Sequence, residues 1–324
     1  MTRPHIPESV LTAAHDRARA RADHDWSEAD RLRDVIEAAG WKIVDRGTDF
    51  ALSPMAPPDL DTGEGRTRYG ASRNVPSRLG DPPAGVATIV LIATDHPDDL
   101  ARTLAAIGAH APAGTSVVIV ADGPSDAQAL ALDTPAGAPA AGTPTTIEVV
   151  WTSERLGHAA ATNLGIRRAA GPAVILLDTS VEPTGDIVTP LVRALDDASV
   201  AVVGGWGITS ADLRRFEDAP PGDVDAIEGY CQAFRRADFA DRGPLDERFR
   251  FYRNLDIWWS LVLRDGGEGE RPRRAVRLAG LPAERHDHRG WTSLPDEERD
   301  RQSKRNFYRI IDRFGSRRDL LIGG

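Results

Sequence analysis

From Val86 onward, apolar β-rich runs alternate with helical stretches, and no other feature limits the fold of this chain so tightly. The runs are ATIVLIAT (87–94), SVVIVA (116–121), TIEVVW (146–151), AVILLD (173–178) and SVAVVGG (199–205). Helical patterns occupy 98–109, 157–170 and 185–197. Continuous β-branched strands separated by helices predict an α/β fold, a mostly parallel sheet covered on both faces. Ligands of such sheets bind beyond the carboxyl ends of the strands.

Those ends are acidic. The first run closes on Thr94-Asp95-His96-Pro97, the second on Asp122-Gly123-Pro124 and the fourth on Asp178-Thr179-Ser180-Val181-Glu182. A single Asp after a strand commonly caps a turn. Asp95, Asp122 and Asp178 on successive ends point instead to a ligand edge. No GxGxxG follows the first run and no P-loop is present, so a dinucleotide or Walker-type phosphate cradle is excluded. Carboxylates without such a cradle suit a site where they bind base and ribose while a divalent cation takes the phosphates.

The order of motifs resembles the family-2 glycosyltransferases of the GT-A fold, across nearly all of 86–312. TIVLIATDHPDDLARTLAAI resembles the family's opening strand and helix, and VVIVADGPSD the segment whose Asp meets the nucleotide base, here Asp122. ERLGHAAATNLGIRRAAGPAVILLDTSVEP resembles the passage into the DxD-type turn, with Asn163 at a characteristic place. EGYCQAFRRADFADRGPLDERFRFYRNLDIWWSLVLRDGG resembles the acceptor-side segment, and RHDHRGW followed by SKRNFYRIIDRFG the closing His and Arg-Asn helix.

The resemblance implies an inverting transfer from a nucleoside-diphosphate sugar to an acceptor hydroxyl, with Mn2+ or Mg2+ as cofactor. Asp256 takes the position of the base, and Thr94, Asp95, Asp122, Asn163 and Asp178 those of donor-binding residues. Metal ligation falls to Asp178, Ser180, His286 and His288, with His286 taken before His288. Two departures stand out. Ser180 occupies the usual place of a metal-binding carboxylate, and a neutral hydroxyl is a poor ligand for a hard cation. Leu255 replaces the Glu of the expected Glu-Asp pair. A catalytically weak domain that binds nucleotide or acts as a scaffold is the alternative. Trp258 and Trp259 are adjacent on one helix, so at most one faces the acceptor.

Ahead of this domain, residues 6–54 read as a helical hairpin followed by a β-hairpin. Val10, Leu11, Ala14, Ala18 and Ala22 share one helical face; Leu32, Val35, Ile36 and Ala39 share another. Ser27 reads as the cap of the second helix, accepting from the Asp30 amide, and Gly40 as its left-handed stop. WKIVD and TDFAL alternate around Arg46-Gly47. The stretch HDRARARADHDWSEADRLRDVIEAAGWKIVDRGTDFAL resembles the C-terminal module of cysteinyl-tRNA synthetases, without the synthetase's ATP or zinc motifs. That resemblance leaves a link to tRNA or translation open. Residues 55–85, rich in Pro and Gly, read as a linker before the domain at 86–324.

Composition sets the remaining bounds. The 324 residues carry a formal charge of −9, which argues against a general nucleic-acid binder. Cys231 is the one cysteine, so no intramolecular disulfide forms. The N-terminus lacks a signal-peptide pattern and no apolar run is long enough to span a bilayer. A cytoplasmic setting is the expectation.

Overall fold

The computed structural model describes residues 6–322 except Thr48, Glu64, Thr94, 134–145, Glu268, Gly269 and Ser293. The chain divides into two compact units, Met1–Ala71 and Ser72–Gly324.

In the first unit, α1 (Glu8–Ala22) and α2 (Trp26–Ala38) form the helical hairpin, and β1 (Trp41–Arg46) pairs antiparallel with β2 (Asp49–Pro54). Val10, Ala14, Leu32, Ile36 and Trp41 make its core. Gly40 turns the chain at φ +80°, as expected. The cap of α2 differs from the expectation. The helix begins one residue earlier, and Asp25, not Ser27, accepts from the Glu28 amide at 3.1 Å. A carboxylate at this position also meets the positive end of the helix dipole, which a serine hydroxyl does less well. Arg17 is 1% exposed and donates to both Asp45 oxygens, at 2.6 and 3.2 Å. Two short antiparallel strands follow, β3 (Leu60–Asp61) and β4 (Thr67–Tyr69). The stretch 55–85 thus carries elements of its own and is divided between the units at Ala71–Ser72.

The second unit opens with β5 (Ala87–Ala93), α3 (Pro97–His110), β6 (Thr115–Ala121), α4 (Asp126–Asp133), β7 (Thr146–Thr152), α5 (His158–Arg168) and β8 (Ala173–Leu177). β9 (Val181–Pro183), α6 (Val188–Ala194), β10 (Val200–Gly204), β11 (Gly207–Thr209), β12 (Glu217–Asp218), β13 (Gly222–Val224), β14 (Ala226–Ile227) and β15 (Cys231–Arg235) come next. The unit closes with α7 (Arg236–Arg242), α8 (Leu255–Arg264), β16 (Arg274–Arg277), β17 (Ala283–Arg285), α9 (Arg289–Thr292) and α10 (Asp296–Phe314). Its main sheet runs in the order β13-β16-β10-β15-β8-β5-β6-β7. β8, β5, β6 and β7 are parallel neighbours, while β15 runs antiparallel to both β8 and β10.

Both faces of the sheet are covered, as the apolar runs require. Ile89 and Leu91 of β5 join Leu100 and Ile107 of α3 in one core. Val90, on the opposite face, meets α5 at Gly165, where an added Cβ would stand 2.4 Å from the valine methyl. Glycine there lets the helix sit directly on the strand. The Trp258–Trp259 pair packs inward. Trp259 sits edge-on to Phe234 and Phe239, and Trp258 lies against Phe249, with both indoles buried. Neither faces a ligand. No helix among the described residues is long and apolar enough to cross a membrane. Cys231 is fully buried, and burial pushes its thiol pKa up to about 12, which keeps it protonated.

Candidate active site

The carboxyl ends of β5, β6 and β7 are tied together by charge and amide bonds. Arg155, just after β7, donates to both Asp95 oxygens at 2.9 and 3.0 Å and to the Gly123 carbonyl at 3.0 Å. Asp122 turns inward and is 2% exposed. It accepts from the Leu156 and Gly157 amides at 2.7 and 3.1 Å and from the Thr152 hydroxyl at 3.3 Å. Burial raises its pKa against these bonds. The expected base contact is thus not an open carboxylate here: Asp122 shapes the 155–157 loop. Gly123 turns with φ +51°, and a Cβ would meet the Arg155 backbone at 2.6 Å, so only glycine lets the loops close this tightly.

Asn163 likewise bonds the protein's own chain. It is fully buried in α5, exchanging hydrogen bonds with the Leu245 backbone at 2.8 and 2.9 Å and donating to Glu247 at 3.1 Å. An asparagine can satisfy a peptide's donor and acceptor together, which suits it to pin a loop to a helix. Thr94 lies outside the described residues.

The β8–β9 turn brings the remaining candidates together. Asp178 Oδ1 accepts from the Ser180 amide at 2.8 Å and from its hydroxyl at 2.5 Å. Ser180 thus orients Asp178. The other oxygen, Oδ2, lies 3.3 Å from His288 Nε2. Burial pushes Asp178 up, but His288 and Ser180 prevail and hold its pKa at about 2. The imidazole stacks on Tyr252 with ring centroids 4.4 Å apart. His286, expected ahead of His288, pairs with Glu182 instead, at 2.8 Å. The two histidines follow the end of β17, which pairs with β9, so each meets a different carboxylate of the turn. Arg102 joins Glu182 and Asp99 in the same ion cluster, at 3.5 and 3.1 Å.

Asp256 heads α8. Its Oδ2 accepts from the Gly229 amide at 2.8 Å and its Oδ1 from the Ile257 amide at 2.9 Å. Burial raises its pKa, opposed by those amides and by Arg253. Leu255 is 4% exposed and belongs to the core, so the expected acidic neighbour has no room there. A second carboxylate arrives from elsewhere: Glu228, whose pKa burial and the Asp256 charge both raise. Asn254 precedes α8 in the left-handed region at φ +67°, where asparagine is tolerated better than most residues. Its amide donates to the Ser303 carbonyl at 3.1 Å, and Asn306 of α10 donates to the carbonyls of Phe251 and Arg253, both at 2.8 Å.

Residue types and spacing did not single out Glu228, Tyr230, Tyr252, Arg253 or Arg285. Glu228 and Tyr230 lie in the β14–β15 loop, Tyr252 and Arg253 in the loop before α8, and Arg285 ends β17.

Among the described residues, no group of three or more His, Cys, Asp or Glu is gathered as a metal site. The Asp178–His288 pair nevertheless fits a divalent ion. Two donors each about 2.1 Å from one cation, at an angle of about 100°, are separated by the distance seen here.

Residues 88–243 match the family model for glycosyl transferase family 2. That stretch, within the second unit, is similar to the glycosyltransferases of family 2. Two solved structures agree with its GT-A fold. One is GalNAc-T7 with UDP, GalNAc and Mn2+ (TM-score 0.57, 15% identity), where the alignment covers 71% of this chain and 48% of that one. The other is a mannosyltransferase of Pyrobaculum calidifontis with GDP-Man and Mn2+ (TM-score 0.54, 17% identity), covering 76% and 71%. The N-terminal resemblance also holds. A stretch of 51 residues is 48% identical to Cysteine--tRNA ligase 1 of Burkholderia lata, which is 16% of this chain and only 11% of the ligase.

Proposed function

We propose that this glycosyltransferase domain moves a sugar from a nucleoside-diphosphate donor to an acceptor hydroxyl with inversion at the anomeric carbon. The observation that carries the proposal is the Asp178–His288 pair, 3.3 Å apart at the carboxyl edge of the sheet in a GT-A fold. GalNAc-T7 and the mannosyltransferase were both solved with Mn2+ and a nucleotide or nucleotide sugar. Asp178 and His288 would hold such an ion, leaving its other positions to diphosphate oxygens. The ion would supply charge neutralisation for the departing diphosphate.

The chain's own residues perform the rest. Ser180 fixes the Asp178 carboxylate through two bonds to one oxygen. Tyr252 holds the His288 ring by stacking. Arg253, whose charge acts on both His288 and Asp256, adds positive potential near the leaving group. Asp256 acts as general base. Its carboxylate takes the proton of the acceptor hydroxyl as that oxygen attacks the anomeric carbon opposite the leaving diphosphate. The Gly229 amide orients it, and partial burial makes it a stronger base than a free aspartate.

A second reading, a nucleotide-binding domain with weak or no turnover, draws on Asp122, whose carboxylate is already occupied by loop amides. One experiment separates the two. Thermal shift with UDP, GDP and their sugars, with and without Mn2+, is followed by donor turnover. A nucleotide at about 100 times its dissociation constant should add about 2.7 kcal/mol of stability. Metal-dependent stabilisation with turnover supports transfer; stabilisation without turnover supports the second reading. No shift with any nucleotide sinks both.

A further inference from the structure

Arg285 is held in an unusual way for a surface arginine. Its guanidinium lies 4.6 Å from the centroid of Tyr230 and 5.3 Å from that of Trp206, two rings that meet edge-on at 5.8 Å. It donates no hydrogen bond to any described residue, and its one ion-pair partner, Glu228, stands 3.9 Å away. The side chain is 40% exposed. Stacking thus fixes the plane of the group while leaving its N–H donors uncommitted, the arrangement that suits two-pronged binding of a carboxylate or phosphate.

The platform is rigid and well placed. Arg285 ends β17 and pairs with Val181 across the β8–β9 turn. The Glu228 amide donates to the Trp206 carbonyl at 3.0 Å, and the Asp178 amide to the Tyr230 carbonyl at 3.0 Å. Between Glu228 and Tyr230, the Gly229 amide holds Asp256. The ring beneath the guanidinium, Tyr230, is therefore the chain neighbour of the Gly229 amide that orients Asp256, and its own carbonyl takes the Asp178 amide.

Resting on the glycosyl-transfer reading, we propose that Trp206, Tyr230 and Arg285 form an acceptor subsite for a saccharide or polyol bearing an anionic group. The rings face its carbon skeleton, and Arg285 takes its carboxylate or phosphate. Glu228 balances the guanidinium when the subsite is empty. It also disfavours anions that fail to displace it, which sharpens selection.

Calorimetric titration on the full chain, saturated with UDP and Mn2+, tests this. The probes are methyl glucoside, glucuronate and glucose 6-phosphate. Glucuronate or glucose 6-phosphate should bind at least about tenfold more tightly than the neutral glucoside, and Arg285→Met should abolish that preference. The contrast between the two anions identifies which group the subsite takes. Arg285→Lys keeps the charge but not the fork and should recover only part of the preference, while Glu228→Gln should tighten the anionic probe. UDP binding, read first in every variant, reports whether the donor site and the fold are intact. Failure of the unaltered chain to bind either UDP or GDP is failure of the glycosyl-transfer reading; loss in a variant alone marks that variant as damaged. UDP binding with no anion preference overturns the subsite, as does a preference that survives Arg285→Met. An Arg285-dependent gain for UDP-glucuronate over UDP-glucose, without one for the acceptor probes, overturns its assignment to the acceptor.

Discussion

Asp256 and Asp178 are both carboxylates at the ends of buried elements, yet their surroundings prepare them for different duties. Asp178 faces an imidazole, and bonds from Ser180 and His288 keep it ionised. Asp256 faces amides and a neighbouring acid, and burial raises its basicity. Asp256→Asn should therefore lower turnover about 10²- to 10⁴-fold, with the nucleotide-induced thermal shift retained. Asp178→Asn should instead remove the increment that Mn2+ adds to that shift, measured by the same melts. Both aspartates stood out in the sequence by position and resemblance. Asp122 and Asn163 stood out as positions, and both side chains bond the protein's own backbone. Whether a polar side chain at a strand or helix end faces a ligand or its own backbone depends on loops that close from distant parts of the chain. For Asp122 that loop is 155–157, and for Asn163 it is Leu245–Glu247. The order of His286 and His288 was not legible either: the register of β17 on β9 hands His286 to Glu182 and His288 to Asp178.

At the level of elements, the strands were the most legible feature. Each expected run from 87 to 205 contains an observed strand with ends within a residue or so, because an uninterrupted apolar, β-branched run has few other ways to bury itself. Short pieces were not legible. β9, β17 and the strands of 207–227 are only two or three residues long and owe their existence to partners rather than pattern. Helix α10 shows how an element away from the reacting atoms can govern them. Its Asn306 is 2% exposed and bonds two carbonyls of the loop that carries Tyr252 and Arg253. Asn306→Ala leaves those carbonyls short of a donor and should cost about 1–3 kcal/mol, read as a lower Tm. Because the loop holds the Tyr252 stack on His288, kcat should fall by a larger factor than global destabilisation explains. Asn306→Asp keeps the size but loses the donor and should behave like the alanine variant.

The molecule as a whole consists of two units with separate cores, and the first has its own electrostatic weak point. Arg17 holds Asp45 below the usual carboxylate range. A carboxylate with a lowered folded-state pKa stabilises at pH values above its unfolded pKa, about 3.9, and that contribution is lost as pH falls through the folded value. Protection of backbone amides across 8–46, measured by exchange and mass spectrometry relative to the intrinsic rate at each pH, should therefore fall on acidification below about pH 4. Arg17→Met should remove this acid-dependent component, whatever it does to stability near neutrality.

The pairing of Asp178 with His288 also has a temporal consequence. During synthesis the chain emerges from its N-terminus, so β5 to β8 and Asp178 leave the ribosome well before the residues that complete the site. Arg285, His288 and Asn306 follow long after them. A nascent or prematurely ended polypeptide can gather its sheet around those strands and still be chemically silent, with its turn of Asp178 and Ser180 facing no partner.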